Sequence, residues 1–175
     1  KPAISKVIAP TALFWFRYGA LATVITGLLL AWMQKYLFLA LTLQMPFAAI
    51  GIGMWIALIM AFNVWFVIWP NQKIALGIVA EGDKAAAGAK ALLASRTNTL
   101  FSAPMALGML AGPHYAGAGY GTTVGGNGLI VMLVIVALLE VNALVGKQGP
   151  MTTVKGVIHA SLGLTAVMVG ALNLL

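Results

Sequence analysis

Five apolar runs, each close to the ~20 residues a bilayer core requires, dictate what this chain can fold into. They lie at about 11–33, 47–69, 97–114, 127–146 and 154–174. Lipid offers no partner to a backbone N–H or C=O, so each run must close its own hydrogen bonds as a helix or within a closed barrel. The two-residue alternation of barrel strands is missing from all five. The expected fold is therefore all-α, a polytopic transmembrane helical bundle of about five spans forming a single domain over residues 1–175. Composition agrees, since 62% of residues are hydrophobic and 7% charged, against about 25% charged in an ordinary soluble domain.

Charge then orients the bundle. Of the ten Lys and Arg residues only Lys35 lies toward one face. Lys1, Lys6 and Arg17 cluster at the start of the first run, and Lys73, Lys84, Lys90 and Arg96 fill or border the connection after the second. Lys147 and Lys155 flank the connection after the fourth. Cytoplasmic segments retain Lys and Arg, so the N-terminus and residues 70–96 are expected inside a bacterial inner membrane and the C-terminus outside. The net charge of +7 is dispersed over helix ends instead of forming one stripe, which argues against nucleic acid and for anionic lipid headgroups.

The absence of cysteine removes disulfides, thiolate metal sites and the C-x-x-C-H attachment of a c-type haem. Three carboxylates and two distant histidines form neither a nucleophilic triad nor a metal cage. The chain opens at Lys1 with neither an initiator Met nor a signal-peptide pattern, and an upstream segment is expected.

The informative residues lie inside the runs. Arg17, Asn63, Ser102, Glu140 and His159 each fall five or six residues from the cytoplasmic end of their span. At 1.5 Å per residue they share a depth of roughly 8–9 Å below the inner boundary. Ionisable groups at such depth face a bundle interior and a partner. Arg17 and Glu140 are the full opposite charges at that level, and an ion pair between them is expected, with Asn63 and His159 nearby. The alternatives are an Arg17 that snorkels to the headgroups and a Glu140 that is protonated or paired with Lys147. Asn63 also suits a plain helix–helix hydrogen bond, and Ser102 a bond to its own preceding turn.

His159 shares a helix face with Gly163, Ala166 and Gly170. Small residues beside an imidazole suit a b-type haem lying flat on the helix, and suit close helix packing equally. His114 lies near the outer boundary, roughly 20 Å away in depth, so it cannot complete the same haem. A second axial ligand would come from an upstream segment or a partner subunit.

Two stretches carry a resemblance. Phe62-Asn63-Val64-Trp65-Phe66-Val67-Ile68-Trp69-Pro70-Asn71-Gln72-Lys73 and Ala94-Ser95-Arg96-Thr97-Asn98-Thr99-Leu100-Phe101-Ser102-Ala103-Pro104-Met105 resemble the membrane domain of the bacterial urate hydroxylase PuuD family. The elements Phe14-Trp15-Phe16-Arg17-Tyr18-Gly19-Ala20 and Val157-Ile158-His159 are similar too. The resemblance implies an inner-membrane protein linked to oxidation of urate or a related purine, with electrons passed to a cytochrome. Members typically carry a His-bearing helix upstream and often a cytochrome c domain downstream, neither of which this sequence contains. It also implies Arg17 and Arg96 as holders of an anionic substrate, with Asn71 or Asn98 as hydrogen-bonding partners. Two other function classes fit the residues: a non-catalytic accessory subunit of a respiratory or photosynthetic membrane complex, and a small haem-b electron-transfer subunit. The partners expected are the bilayer, other membrane subunits and a separate cytochrome c.

Overall fold

The structure, a computed structural model, describes residues 2–115 and 126–175, with side chains described except at 2–7 and 111–115. Helix α1 covers Pro2–Met33 and the short α2 covers Leu37–Leu41. Helix α3 (Ala48–Phe62) passes into a π-helical segment, Asn63–Ile68, and then into α4 (Trp69–Ala75). Helix α5 spans Lys84–Tyr115, α6 Gly126–Val145 and α7 Val154–Leu174, with a 3-10 turn at Gly149–Thr152 before α7. No strand occurs among the described residues.

Four stretches are long and apolar enough to cross a membrane: Ile8–Met33, Ala48–Ala75, Gly126–Val145 and Val154–Leu174. The last two coincide with the expected spans to within a residue. The expected third span is not a separate helix. Residues 97–114 are the second part of α5, which runs unbroken from Lys84. Thr97 and Asn98, residue types that often cap helices, lie in its interior. Alanine-rich sequence from 85 to 94 has high helix propensity and contains nothing to stop a helix, so one long helix forms. It begins where Asp83 Oδ1 accepts from the N–H groups of Ala85 (2.8 Å) and Ala86 (3.2 Å), an N-cap the sequence announces.

Pro70 does not end the second span either. A proline ring collides with the carbonyl four residues back in a regular helix. Here the π-helical turn precedes it and shifts the carbonyl register by one residue, so the helix continues into α4. Pro10 likewise lies within α1, which begins well before the expected start at Thr11.

Helix α5 is the axis of the bundle and packs against α3, the π segment, α4, α6 and α7. Its closest approach is to α3, where Gly53 meets Gly108. A Cβ on Gly53 would stand 2.9 Å from the Met109 nitrogen, and one on Gly108 2.9 Å from the Ala49 oxygen. Small residues thus bring the two backbones into contact, the packing mode that substitutes for a hydrophobic drive in lipid. Phe101, Ile52, Ile56, Met132, Val136 and Met168 fill the space beside this contact.

Helix α1 stands apart. It meets the bundle at two places only: Ala31 and Leu28 pack with Ala40, Tyr36 and Met54 toward one end, and Arg17 and Tyr18 meet Trp65 and Trp69 toward the other. Between these contacts α1, α3 and α5 enclose an open groove of about 960 Å³.

Candidate functional site: a buried amide–carboxylate knot on a π-helical turn

The π segment sets the site. Regular helix would carry residues 63–68 around α3 at 100° per residue, whereas the wider turn re-aims them and such turns recur at functional positions. Asn63 is wholly buried as a result. Its Nδ2 donates to Asn98 Oδ1 on α5 (3.0 Å) and to Glu140 Oε2 on α6 (2.9 Å). Asn98 Nδ2 in turn donates to the Met60 carbonyl one turn before the π segment (2.9 Å). Three elements are therefore tied through one amide.

The knot is not saturated. Asn63 Oδ1, Glu140 Oε1 and the Trp65 indole Nε1 are all buried without a partner. Two acceptors are left over in the knot and one donor on Trp65 of the same π segment, whereas the other buried polar side chains among the described residues, Thr97 and Ser161, are satisfied. Incomplete hydrogen bonding within a membrane is costly, so its concentration on the π segment and Glu140 marks that place.

The expected ion pair between Arg17 and Glu140 does not form. Arg17 Nε donates to the Leu13 carbonyl (3.2 Å), and its guanidinium carbon lies 3.4 Å over the Trp69 ring and 5.5 Å from that of Trp65. Tyr18 stands edge-on to Trp65 at 5.6 Å. A planar cation is weakly hydrated and finds in stacked indoles a partner that needs no carboxylate, worth about 2 kcal/mol or more where water is excluded.

The other expected residues separate. Ser102 is exposed and donates to the Asn98 carbonyl of its own helix (2.9 Å). Asn71 Nδ2 donates to the Val67 carbonyl (2.7 Å), and Arg96 is half-buried on α5. No hydrogen bond joins any two of Arg17, Asn71, Arg96 and Asn98 among the described residues. His159 is exposed on α7, and a Cβ on Gly163 or Gly170 would meet nothing within 4 Å, so this face turns out of the bundle. The His114 side chain lies outside the described set. Among the described residues no three His, Cys, Asp or Glu side chains gather as a metal site.

Asn63 and Glu140 are bonded, and Ser161 Oγ accepts from the Ala103 N–H (3.3 Å), so His159 lies two residues from a contact made beside Ser102. Asn98 is the knot member that the depth argument missed. One signal was available: Asn98 and Ser102 are four apart, so a helix running through 97–98 would present both on a single face about 6 Å apart along the axis. The indole partners of Arg17 were visible as Trp65 and Trp69 at a spacing of four, although that spacing reads first as an interfacial anchor.

No curated protein and no solved structure matches the chain. A family model described as urate oxidase N-terminal matches residues 41–171, well over half of the sequence and inclusive of both motif stretches. The chain therefore belongs to the urate oxidase N-terminal family.

Proposed function

We propose that this chain is the membrane-embedded part of a bacterial urate-oxidising system of the PuuD kind, which passes electrons from urate or a related purine to a cytochrome. The observation that carries the reading is the interlock of the two motif stretches. Asn63 of one and Asn98 of the other bond directly, so the residues behind the resemblance are those that build the unsaturated knot. Hydroxylation of a purine with oxygen drawn from water releases electrons and protons, and a one-electron carrier such as a separate cytochrome c is a suitable acceptor. Residues 70–96 lie on the cytoplasmic side in this reading, where Arg96 and Lys73 meet an anionic metabolite arriving from the cell interior.

A b-type haem, if bound, would be held by His159, and the open space beside Gly163 and Gly170 on the outer face of α7 leaves room for it; it would supply one-electron chemistry. The same outward face favours a second reading, a non-catalytic scaffold docked among other membrane subunits.

Inverted membrane vesicles carrying the protein, supplied with urate and oxidised cytochrome c, separate the two. Urate-dependent cytochrome reduction that disappears in vesicles lacking the chain supports the enzyme reading. Reduction equal in both preparations leaves the scaffold.

A further inference from the structure

The groove between α1 and the α3–α5 pair has a chemistry of its own. Among the described residues its lining contains no Asp, Glu, Lys, Arg or His. Along α5 the residues that face it are Ser95, Asn98, Thr99 and Ser102, followed by Met105 and Met109. These positions recur at three and four, so they form one stripe down the helix. The first two turns of the stripe are polar, over about 10 Å, and the next two are apolar. Opposite, α1 contributes Phe16, Val24, Gly27 and Leu28, which are apolar throughout. Thr23 also lines this wall, but its hydroxyl is turned back to the Gly19 carbonyl (2.9 Å).

The polar half both gives and takes hydrogen bonds. Thr99 and Ser102 spend their hydroxyl hydrogens on the Ser95 and Asn98 carbonyls (3.1 and 2.9 Å), leaving oxygen lone pairs as acceptors. The Ser95 hydroxyl and the Gln72 amide make no hydrogen bond among the described residues and remain as donors. Ser95, Thr99 and Ser102 are exposed on the groove side of α5, so these donor and acceptor groups are open to a bound molecule.

From this we infer that the groove binds a neutral, single-tailed amphiphile of the prenylated quinone or quinol class, head toward Gln72 and Ser95, tail toward Met109. Three features select it. A phosphate or ammonium head would find no counter-charge in the lining. A quinone head offers carbonyls to the free donors, and its quinol form offers hydroxyls to the free acceptors. A volume of about 960 Å³ falls at the top of the range for small-ligand pockets. The inference does not depend on urate chemistry.

The test is native mass spectrometry of the detergent-purified protein titrated with decyl-ubiquinone, in parallel with dioleoyl-phosphatidylcholine. A saturable one-to-one quinone adduct is expected, with the phospholipid adduct weak and unsaturated. Gly27→Phe fills the tail half, since a Cβ there meets nothing within 4 Å, and should weaken the adduct at least tenfold. Thr99→Val removes one head-group acceptor and should weaken it about fivefold. Val134→Phe, on the exposed outer face of α6 and outside the groove lining, should leave binding unchanged. Should Gly27→Phe fail to fold, Thr99→Val carries the test alone. The inference is overturned by the absence of a saturable adduct, by equal phospholipid binding, by indifference to Gly27→Phe and Thr99→Val, or by a co-purifying polypeptide in place of the quinone.

Discussion

Asn63→Ala and Glu140→Gln should have opposite outcomes, although they strike the same hydrogen bond. Asn63 supplies both donors of the knot, to Asn98 Oδ1 and Glu140 Oε2. Its removal deletes two interhelical bonds, each about 0.6 kcal/mol in membrane proteins. It also orphans two buried acceptors, at about 1–3 kcal/mol each when no new partner is found. Partial relaxation places the expected loss at about 2–4 kcal/mol. Glu140→Gln instead keeps an acceptor for Asn63 Nδ2 and removes a carboxylate whose Oε1 has no partner. That variant should be as stable as the parent or more so by about 1 kcal/mol. Reversible unfolding in mixed dodecyl sulfate micelles, followed by far-ultraviolet circular dichroism, reads both. Equal losses in the two variants, or an Asn63→Ala protein within 0.5 kcal/mol of the parent, would refute the knot as the organiser of the bundle.

Gly108→Ala should cost about 1–3 kcal/mol in the same unfolding assay, because its methyl group meets the Ala49 and Gly53 backbone at 2.9 Å. Gly163→Ala, in open space, should be neutral or stabilising by up to ~1 kcal/mol. Arg17→Gln removes the cation stacked on Trp69 and should lower stability by about 1–2 kcal/mol with a change in tryptophan emission; unchanged emission would show that the stack does not persist in the bilayer. Asp83→Ala should loosen the start of α5, with a loss of about 0.5–2 kcal/mol and faster amide exchange at Ala85 and Ala86. His159→Ala should abolish the Soret band of the purified complex if this side chain ligates a haem, and an unaltered band removes His159 from that role.

The parts of the fold legible in the sequence were those with punctuation. Thr153 caps α7 by accepting from the Gly156 N–H (3.0 Å), and the 147–153 connection carries the Gly, Pro and Thr residues that stop one helix and start another. Both neighbouring spans were accordingly placed to within a residue. Asp83 was equally plain. Where punctuation was weak the reading failed: Pro70 and Pro10 look like boundaries, and Thr97-Asn98 looks like a cap, yet all four sit inside helices. Proline signals a break only if the preceding carbonyl is where a regular helix would put it. The π segment moves that carbonyl, and no residue between 63 and 68 announces the segment in advance.

The Arg17 outcome exposes a deeper limit, and it bears on how such sites are read. Counting charges at a common depth treats electrostatics as pairwise and assumes that the cheapest partner for a buried cation is an anion. In this bundle the cation is satisfied by two indoles and a backbone carbonyl, and the anion by an amide. Each group then sits on its own seam, Arg17 between α1 and the π segment and Glu140 between α6 and the π segment. The consequence is mechanical. An Arg17–Glu140 bridge would have locked α1 onto the bundle through the knot, whereas a stacked guanidinium holds α1 at one end and leaves the groove beside it open. The π-helical turn serves both seams at once, since Asn63 faces inward and Trp65 meets Arg17 and Tyr18. Straightening that turn into α-helix, by deleting one residue between Asn63 and Ile68, would remove the one-residue register shift on which both contacts depend. Loss of the Asn63 bonds and of the Arg17 stack should then occur together, and their separation in such a deletion would show the two seams to be independent.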